Sequence, residues 1–292
     1  MSSSRNLVVL LPVLLLQQLL ASFTFPIAKY GLAVVEPFTF AFYRYLISSV
    51  IFIAVVWWQK NEHPIERPDR IKLFGMGVLI IIFNQTLYLY GQSLTSAGHA
   101  ALLFATVPLW IFLMAIVHLR ERPTWQRAAG LIMALIGVII VILTGAIEIG
   151  SEYLFGDLVI LAAAITWAGY TVLGKPLVGK YGAFRVTAWA LVSGSVAYFP
   201  FGLYRAMNCD YSAVTTQAWL SVIYVAVGTS VAAYALWYWL LKQMEASRLA
   251  VFQNLQPIIA SAVAFVMLQE PLGWSFVIGG AIVLGGVVIT EV

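Results

Sequence analysis

The chain has 292 residues, of which 62% are hydrophobic and only 10% charged, with a formal net charge of +4. Soluble domains are nearer 45–50% apolar and about 25% charged, and so few polar side chains could not cover that much apolar surface in water. The composition excludes an ordinary soluble enzyme, and without a basic stripe the small positive charge does not point to nucleic acid. Cys209 is the one cysteine, so an intrachain disulfide is excluded.

The N-terminus imitates a secretory signal, with Arg5 followed by the apolar run Leu7 to Leu16. That run continues past Gln17 and Gln18 to about Ile27, which predicts an uncleaved first span. A bilayer core takes ~20 mainly apolar residues per helix. Ten such spans can be laid down, at about 7–29, 38–58, 72–92, 96–118, 125–145, 155–174, 184–205, 216–241, 246–268 and 273–290. The expected fold class is therefore an all-α membrane protein of ten transmembrane helices.

The spans fall into two sets. Ala97, Pro108, Glu121, Gly130 and Gly137 recur as Ala246, Pro257, Glu270, Gly279 and Gly286, each pair 149 residues apart. A repeat of about half the chain predicts two similar halves, 1–149 and 150–292, meeting in the acidic turn that holds Glu148 and Glu152. With five spans each, the second half enters the membrane from the opposite face, as an inverted repeat around a central cavity.

Basic residues set the expected orientation. With the N-terminus in the cytoplasm, the inner segments hold 13 of the 16 basic residues, while Lys29 and Arg205 lie outside and Arg44 lies within a span. Both termini are thus expected in the cytoplasm, and the protein in the inner membrane as a multi-pass chain.

Polar side chains inside spans should face partners or a cavity. Gln18 and Ser22 share a face of the first span. Asn84, Gln85 and Tyr88 form a patch in the third, Thr106 and Trp110 in the fourth, and Trp167 and Tyr170 with Thr166 in the sixth. Ser230, Tyr234 and Trp237 line up in the eighth, and Gln253, Asn254 and Gln256 cluster in the ninth. The plain alternative for each is a hydrogen bond across a helix interface, worth ~0.6 kcal/mol on average. Three long amides, Gln85, Gln253 and Gln256, exceed what packing requires and favour a pathway role. Trp57, Trp58 and Tyr153 read as interfacial anchors.

Pro108 and Pro257 occupy matched mid-span positions, where a missing N–H loosens the preceding turn. They read either as tolerated kinks or, being symmetry-related, as a paired hinge. The glycines at 130, 137, 279 and 286, seven apart in each copy, suit close helix contact. Arg44 would cost ~2.5–3.5 kcal/mol at the bilayer centre. Two readings are open for it: snorkelling or binding helix-end carbonyls near the outer end, or contact with a substrate carboxylate. His99 reads as a satisfied outer-end histidine or a proton site. Glu121 reads as a charge partner for the neighbouring arginines, and Glu270 as the cap of the tenth span.

The segments Thr95-Ser96-Ala97, Ala100-Ala101-Leu102-Leu103, Pro108, Glu121-Arg122, Gly130 and Gly137 resemble the fourth and fifth helices of EamA-type exporters, in the drug/metabolite transporter superfamily. Trp167-Ala168, Tyr170-Thr171-Val172-Leu173 and Lys175 resemble the sixth helix. Ala232 to Trp237, with Ala246, Pro257, Glu270 and Gly279, resemble the eighth to tenth, and Arg44 falls where the family carries an arginine. One stretch departs: Leu20-Ala21-Ser22-Phe23-Thr24 stands where the family often has Trp-Gly-Ser-Asn, a difference that bears on cargo rather than fold. The resemblance implies export of small metabolites, commonly amino acids, through a cavity lined by the first four helices of each half, with the fifth and tenth as scaffold.

No Asp or Glu falls in the middle of a span, whereas exporters of cationic drugs in the resembling superfamily use a buried carboxylate. A neutral or zwitterionic cargo fits better. No metal-binding, phosphate-binding or Ser/His/Asp motif is present, so neither a cofactor nor an enzymatic activity is expected. The expected partners are a small-molecule substrate and membrane lipid, and a monomer is compatible with the sequence. Alternatives are a transporter of nucleotide sugars, lipid-linked precursors or drugs, or a non-transporting intramembrane enzyme or receptor.

Overall fold

A computed structural model describes residues 2–58, 64–94, 103–143, 154–256, 258–259, 262–263 and 274–291. His99, Pro257 and Glu270 lie outside the described residues. Within those limits the chain is helical, with no strand among the described residues. Five helical stretches are long and apolar enough to cross a membrane: Pro37–Trp58, Arg67–Tyr88, Leu154–Tyr181, Ala183–Met207 and Thr216–Gln243. Shorter apolar helices accompany them.

The helices are α1 (Ser2–Ser22), α2 (Thr24–Leu32), α3 (Pro37–Trp58), α4 (Arg67–Gly77), α5 (Thr86–Leu94), α6 (Val107–His118), α7 (Trp125–Leu143), α8 (Leu154–Tyr181), α9 (Ala183–Met207), α10 (Thr216–Tyr224), α11 (Tyr234–Gln243), α12 (Ala246–Val251) and α13 (Trp274–Glu291). Among the described residues, five predicted spans depart from continuous α-helix. The first is nicked at Phe23, because Pro26 cannot donate back to Ser22 and sits instead in the first turn of α2. The third and eighth contain π-helical segments, Val78–Gln85 between α4 and α5 and Val225–Ala233 between α10 and α11. The fourth is interrupted by a turn at 105–106, so Pro108 is not mid-helix as predicted but lies in the first turn of α6, where its missing N–H costs nothing. The ninth departs at the equivalent place, as the 3-10 turn Phe252–Asn254.

The described chain forms two compact units, and each draws segments from both halves of the sequence. The first, Met1–Ile81 with Gly174–Gln243, is built on α3 against α9. These helices run antiparallel. Ser49 Oγ donates to Ser195 Oγ at 2.8 Å, while Tyr198 donates to the Phe38 carbonyl at 3.2 Å, so the residue number falls on one helix as it rises on the other. α4 presses on α9 through Gly77, where a Cβ would lie 2.2 Å from the Ala190 carbonyl oxygen. Val35, Phe40, Ala218, Val222 and Val225 close the end where α2 and α10 meet. Glu36 caps α3 by accepting from the Thr39 N–H at 2.8 Å and pairs with Arg205 at 2.8 Å. At the other end Asp69 accepts from Lys180 at 2.8 Å and from Tyr181 at 2.7 Å.

The second unit, Ile82–Leu173 with Met244–Val292, is organised by α7 against α13. A Cβ on Gly130 would meet the Gly286 carbonyl oxygen at 2.5 Å, and one on Gly137 the Gly279 carbonyl oxygen at 2.6 Å. The expected close glycine contact is present, and the helices are antiparallel. α8 packs on α5, where a Cβ on Gly91 would lie 2.9 Å from Ile160 and one on Gly156 2.7 Å from the Leu94 backbone.

Candidate functional site

In the first unit the polar candidates gather on the π-helical segment Val225–Ala233. The ring that a π-helix closes spans five residues, and here Tyr234 N–H bonds the Thr229 carbonyl while Ser230 Oγ donates to the Val225 carbonyl at 3.2 Å. Ser230 is fully buried and its oxygen also accepts from Arg44 Nε at 2.8 Å. Arg44 Nη2 donates to the Tyr234 hydroxyl at 3.3 Å, and the guanidinium stacks 5.0 Å from the Tyr45 ring centre. Arg44 is only 7% exposed. It does not snorkel: the cation is held inside the unit by two hydroxyls and a ring face. The first span meets the eighth here: the hydroxyl of Thr24, at the start of α2, bonds that of Thr229, and Tyr224, at the end of α10, donates to the Leu20 carbonyl of α1 at 3.1 Å.

Gln18 lies on α1, fully buried, with neither side-chain amide atom hydrogen-bonded. Leaving such groups dry costs roughly 1–3 kcal/mol each. Ser22 instead returns its hydroxyl to the Gln18 carbonyl at 2.6 Å, the local bond that a membrane-helix serine can make without any ligand.

The second unit holds the other candidates. Asn84 Nδ2 donates to the Ala163 carbonyl at 2.8 Å and approaches Thr166 at 3.4 Å, tying the end of the first π segment to α8. Gln85 is half-buried beside it. The Tyr88 ring packs edge-on against Phe104 with centres 5.2 Å apart, and Trp167 and Tyr170 sit at 5.9 Å. Thr106 donates to the Leu103 carbonyl and accepts from Trp110 Nε1 at 3.2 Å, which orients that indole across the break before α6. On the 3-10 turn, Gln253 Oε1 and both amide atoms of Asn254 are buried without hydrogen-bond partners. Gln256 follows, half-buried.

Glu121 makes a long-range contact that its sequence reading did not include. Its carboxylate accepts from the backbone N–H of Ala246 at 2.7 Å, the N–H of Ser247 at 3.1 Å and the Ser247 hydroxyl at 2.6 Å. It therefore caps α12, 125 residues away, where the positive end of the helix dipole favours an anion. Of the nearby arginines, Arg127 pairs with Glu245. Spacing along the chain carried no signal for this bond; the only pointer was a lone acid in a basic turn. Among the described residues no group of three His, Cys, Asp or Glu could hold a metal ion. A groove of about 360 Å³ between α3 and α9 is walled by Leu46, Val50, Ile53 and Val196.

Comparisons with known proteins agree with this architecture. The EamA-like transporter family model matches twice, over residues 9–143 and 154–292. A protein of Archaeoglobus fulgidus described as an uncharacterized transporter is 29% identical over 284 residues, covering 95% of this chain and 96% of its own. A "probable terminal-alkyne amino-acid exporter" of Streptantibioticus cattleyicolor is 30% identical over 215 residues, 74% of this chain and 69% of its own. A crystal structure 20% identical in sequence superposes with a TM-score of 0.82 over 96% of this chain and 98% of that one, a likeness of fold. Two helical repeats, antiparallel packing of their equivalent helices and a family match in each half lead to one conclusion: the chain belongs to the EamA-like transporter family.

Proposed function

We propose that the protein exports a small zwitterionic metabolite, an amino acid or close relative, and that Arg44 receives the cargo's carboxylate. The observation that carries this reading is the buried guanidinium held at 2.8 Å by Ser230 and 3.3 Å by Tyr234. A buried planar guanidinium that two hydroxyls help to hold is suited to a planar carboxylate, which it can engage with two parallel hydrogen bonds. The hydroxyls can then turn to accept or donate to the same group. The Streptantibioticus relative, described as an amino-acid exporter, supports the same cargo class.

Ten spans, two repeats of 1–149 and 150–292, and cytoplasmic termini in the inner membrane complete the proposal. Cargo passes by alternating access through a cavity of the two repeats, with Gln85, Trp110, Gln253 and Gln256 along the path and Pro108 and Pro257 as paired hinges. Millimolar affinity, about −4 kcal/mol, is enough to select cargo and still release it.

Flux of labelled amino acids from liposomes carrying the purified protein tests the reading. Saturable amino-acid flux that Arg44→Gln slows supports it. Flux of a sugar conjugate with none for any amino acid would move the cargo class elsewhere.

A further inference from the structure

The two π-helical segments occupy equivalent places in the two repeats. Shifted by the repeat offset of 149, Val78–Gln85 becomes 227–234, against Val225–Ala233 observed. A π stretch is ordinarily a single turn that interrupts an α-helix, and it concentrates at functional sites. Here two stretches of eight and nine residues recur at one position of a duplicated fold.

Each stretch is bracketed by fixed points. Before the first, Gly77 is jammed against Ala190 and Gly194 of α9; at its end, Asn84 is bonded to the Ala163 carbonyl of α8. The chain passes from one compact unit to the other between Ile81 and Ile82, inside this segment. In the second, the bond from Ser230 to the Val225 carbonyl spans the five-residue step, and the same serine oxygen accepts from Arg44. Reverting to α would give the Ser230 hydroxyl a carbonyl four residues back, and would turn one flank by about one residue, or ~100°, about the helix axis.

We infer that the π-helical segments of the third and eighth spans are paired register switches, and that the second is read by Arg44 through Ser230. The inference rests on the proposed carboxylate site. The bond accepted from Arg44 polarises the Ser230 O–H and strengthens its donation to the Val225 carbonyl, so cargo that draws the guanidinium away weakens the π-spanning bond and couples site occupancy to the register of the eighth span. The first segment supplies the matching change where the chain crosses between units.

Hydrogen exchange of the full chain in lipid nanodiscs tests the inference without any cargo. Amides of 78–85 and 225–233 should exchange at least tenfold faster than α turns of the same spans, such as 70–77 and 236–243. Equal protection would overturn it. Single-residue deletions give a second measurement, because removing one residue from a π segment restores unbroken α-helix while keeping both flanks in place. Deleting the lipid-exposed Phe83 or Val227 should leave the melting temperature unchanged or higher, bring local exchange to α levels and stop transport. Deleting Val196, also exposed but in a helix with no π segment, should unfold the protein by rotating one flank. Deletions at Phe83 or Val227 that unfold as Val196 does, or that transport like the parent, would count against the switch. Absence of amino-acid flux in the parent protein would fault the cargo assignment alone, since the exchange contrast does not depend on it.

Discussion

Gly130 packs against Gly286, which is the repeat equivalent of Gly137 rather than of Gly130 itself. The reciprocal contact, Gly137 against Gly279, completes the exchange: each glycine meets the counterpart of the other. Parallel copies could not make this pairing, because both contacts would then run in the same direction along the two helices. The exchange is what a twofold axis crossing the helices produces, as between two identical surfaces. In a membrane protein that axis lies in the bilayer plane, the geometry of an inverted repeat.

Filling this contact should be costly in proportion to its tightness. In Gly137→Ala the new Cβ lies 2.6 Å from the Gly279 carbonyl oxygen and 2.7 Å from Val283, so helices must separate. Overpacking of this kind costs about 1–3 kcal/mol. Gly280→Ala meets nothing closer than 3.8 Å and serves as the control. Thermal unfolding in detergent should show a fall of several degrees for the first and almost none for the second.

Glu121 should behave as a helix cap. Glu121→Ala removes the acceptor of three donors at Ala246 and Ser247 and should cost about 2 kcal/mol, at the upper end for caps because the site is buried. Glu121→Gln keeps one acceptor and should lose less. In a double-mutant cycle, Ser247→Ala should cost little once Glu121 is gone. Additive losses would show that the two do not interact.

The ion pairs around Asp69 should be unequal. The Asp69 side chain is 7% exposed and accepts from Lys180, Tyr181 and Lys72, so Asp69→Ala removes three interactions at once and should lower the melting temperature by more than the loss of any one lysine. Lys72 is 65% exposed at 3.1 Å, and Lys72→Ala should change stability by less than ~0.5 kcal/mol. Melting curves of the two variants check the order.

How much of this was legible in the chain depended on whether the signal was local or repeated. The glycine contacts were readable because the same spacing occurs twice, 149 residues apart. Helical spacing led to Ser230 and Tyr234, and a charge inside a span to Arg44, but neither led to their meeting, since Ser230 lies 186 residues from Arg44 and no pattern links them. The bond from Glu121 to Ser247 was hidden for the same reason. The π segments left no trace because the first opens with the wholly apolar Val-Leu-Ile-Ile-Ile-Phe and the second carries only the adjacent pair Thr229-Ser230, and neither pattern has a phase to reveal a five-residue step. The interruption before Pro108 was half visible: proline announced a break, but only the coordinates show that it opens α6 instead of bending a continuous helix.

The most direct measurement of carboxylate recognition at Arg44 compares, in liposomes, an amino acid that the parent protein transports with its carboxamide. The parent should carry the acid at least tenfold faster than the amide, and Arg44→Gln should abolish that preference while still folding. Equal flux of acid and amide through the parent, or an unchanged preference in Arg44→Gln, would contradict it.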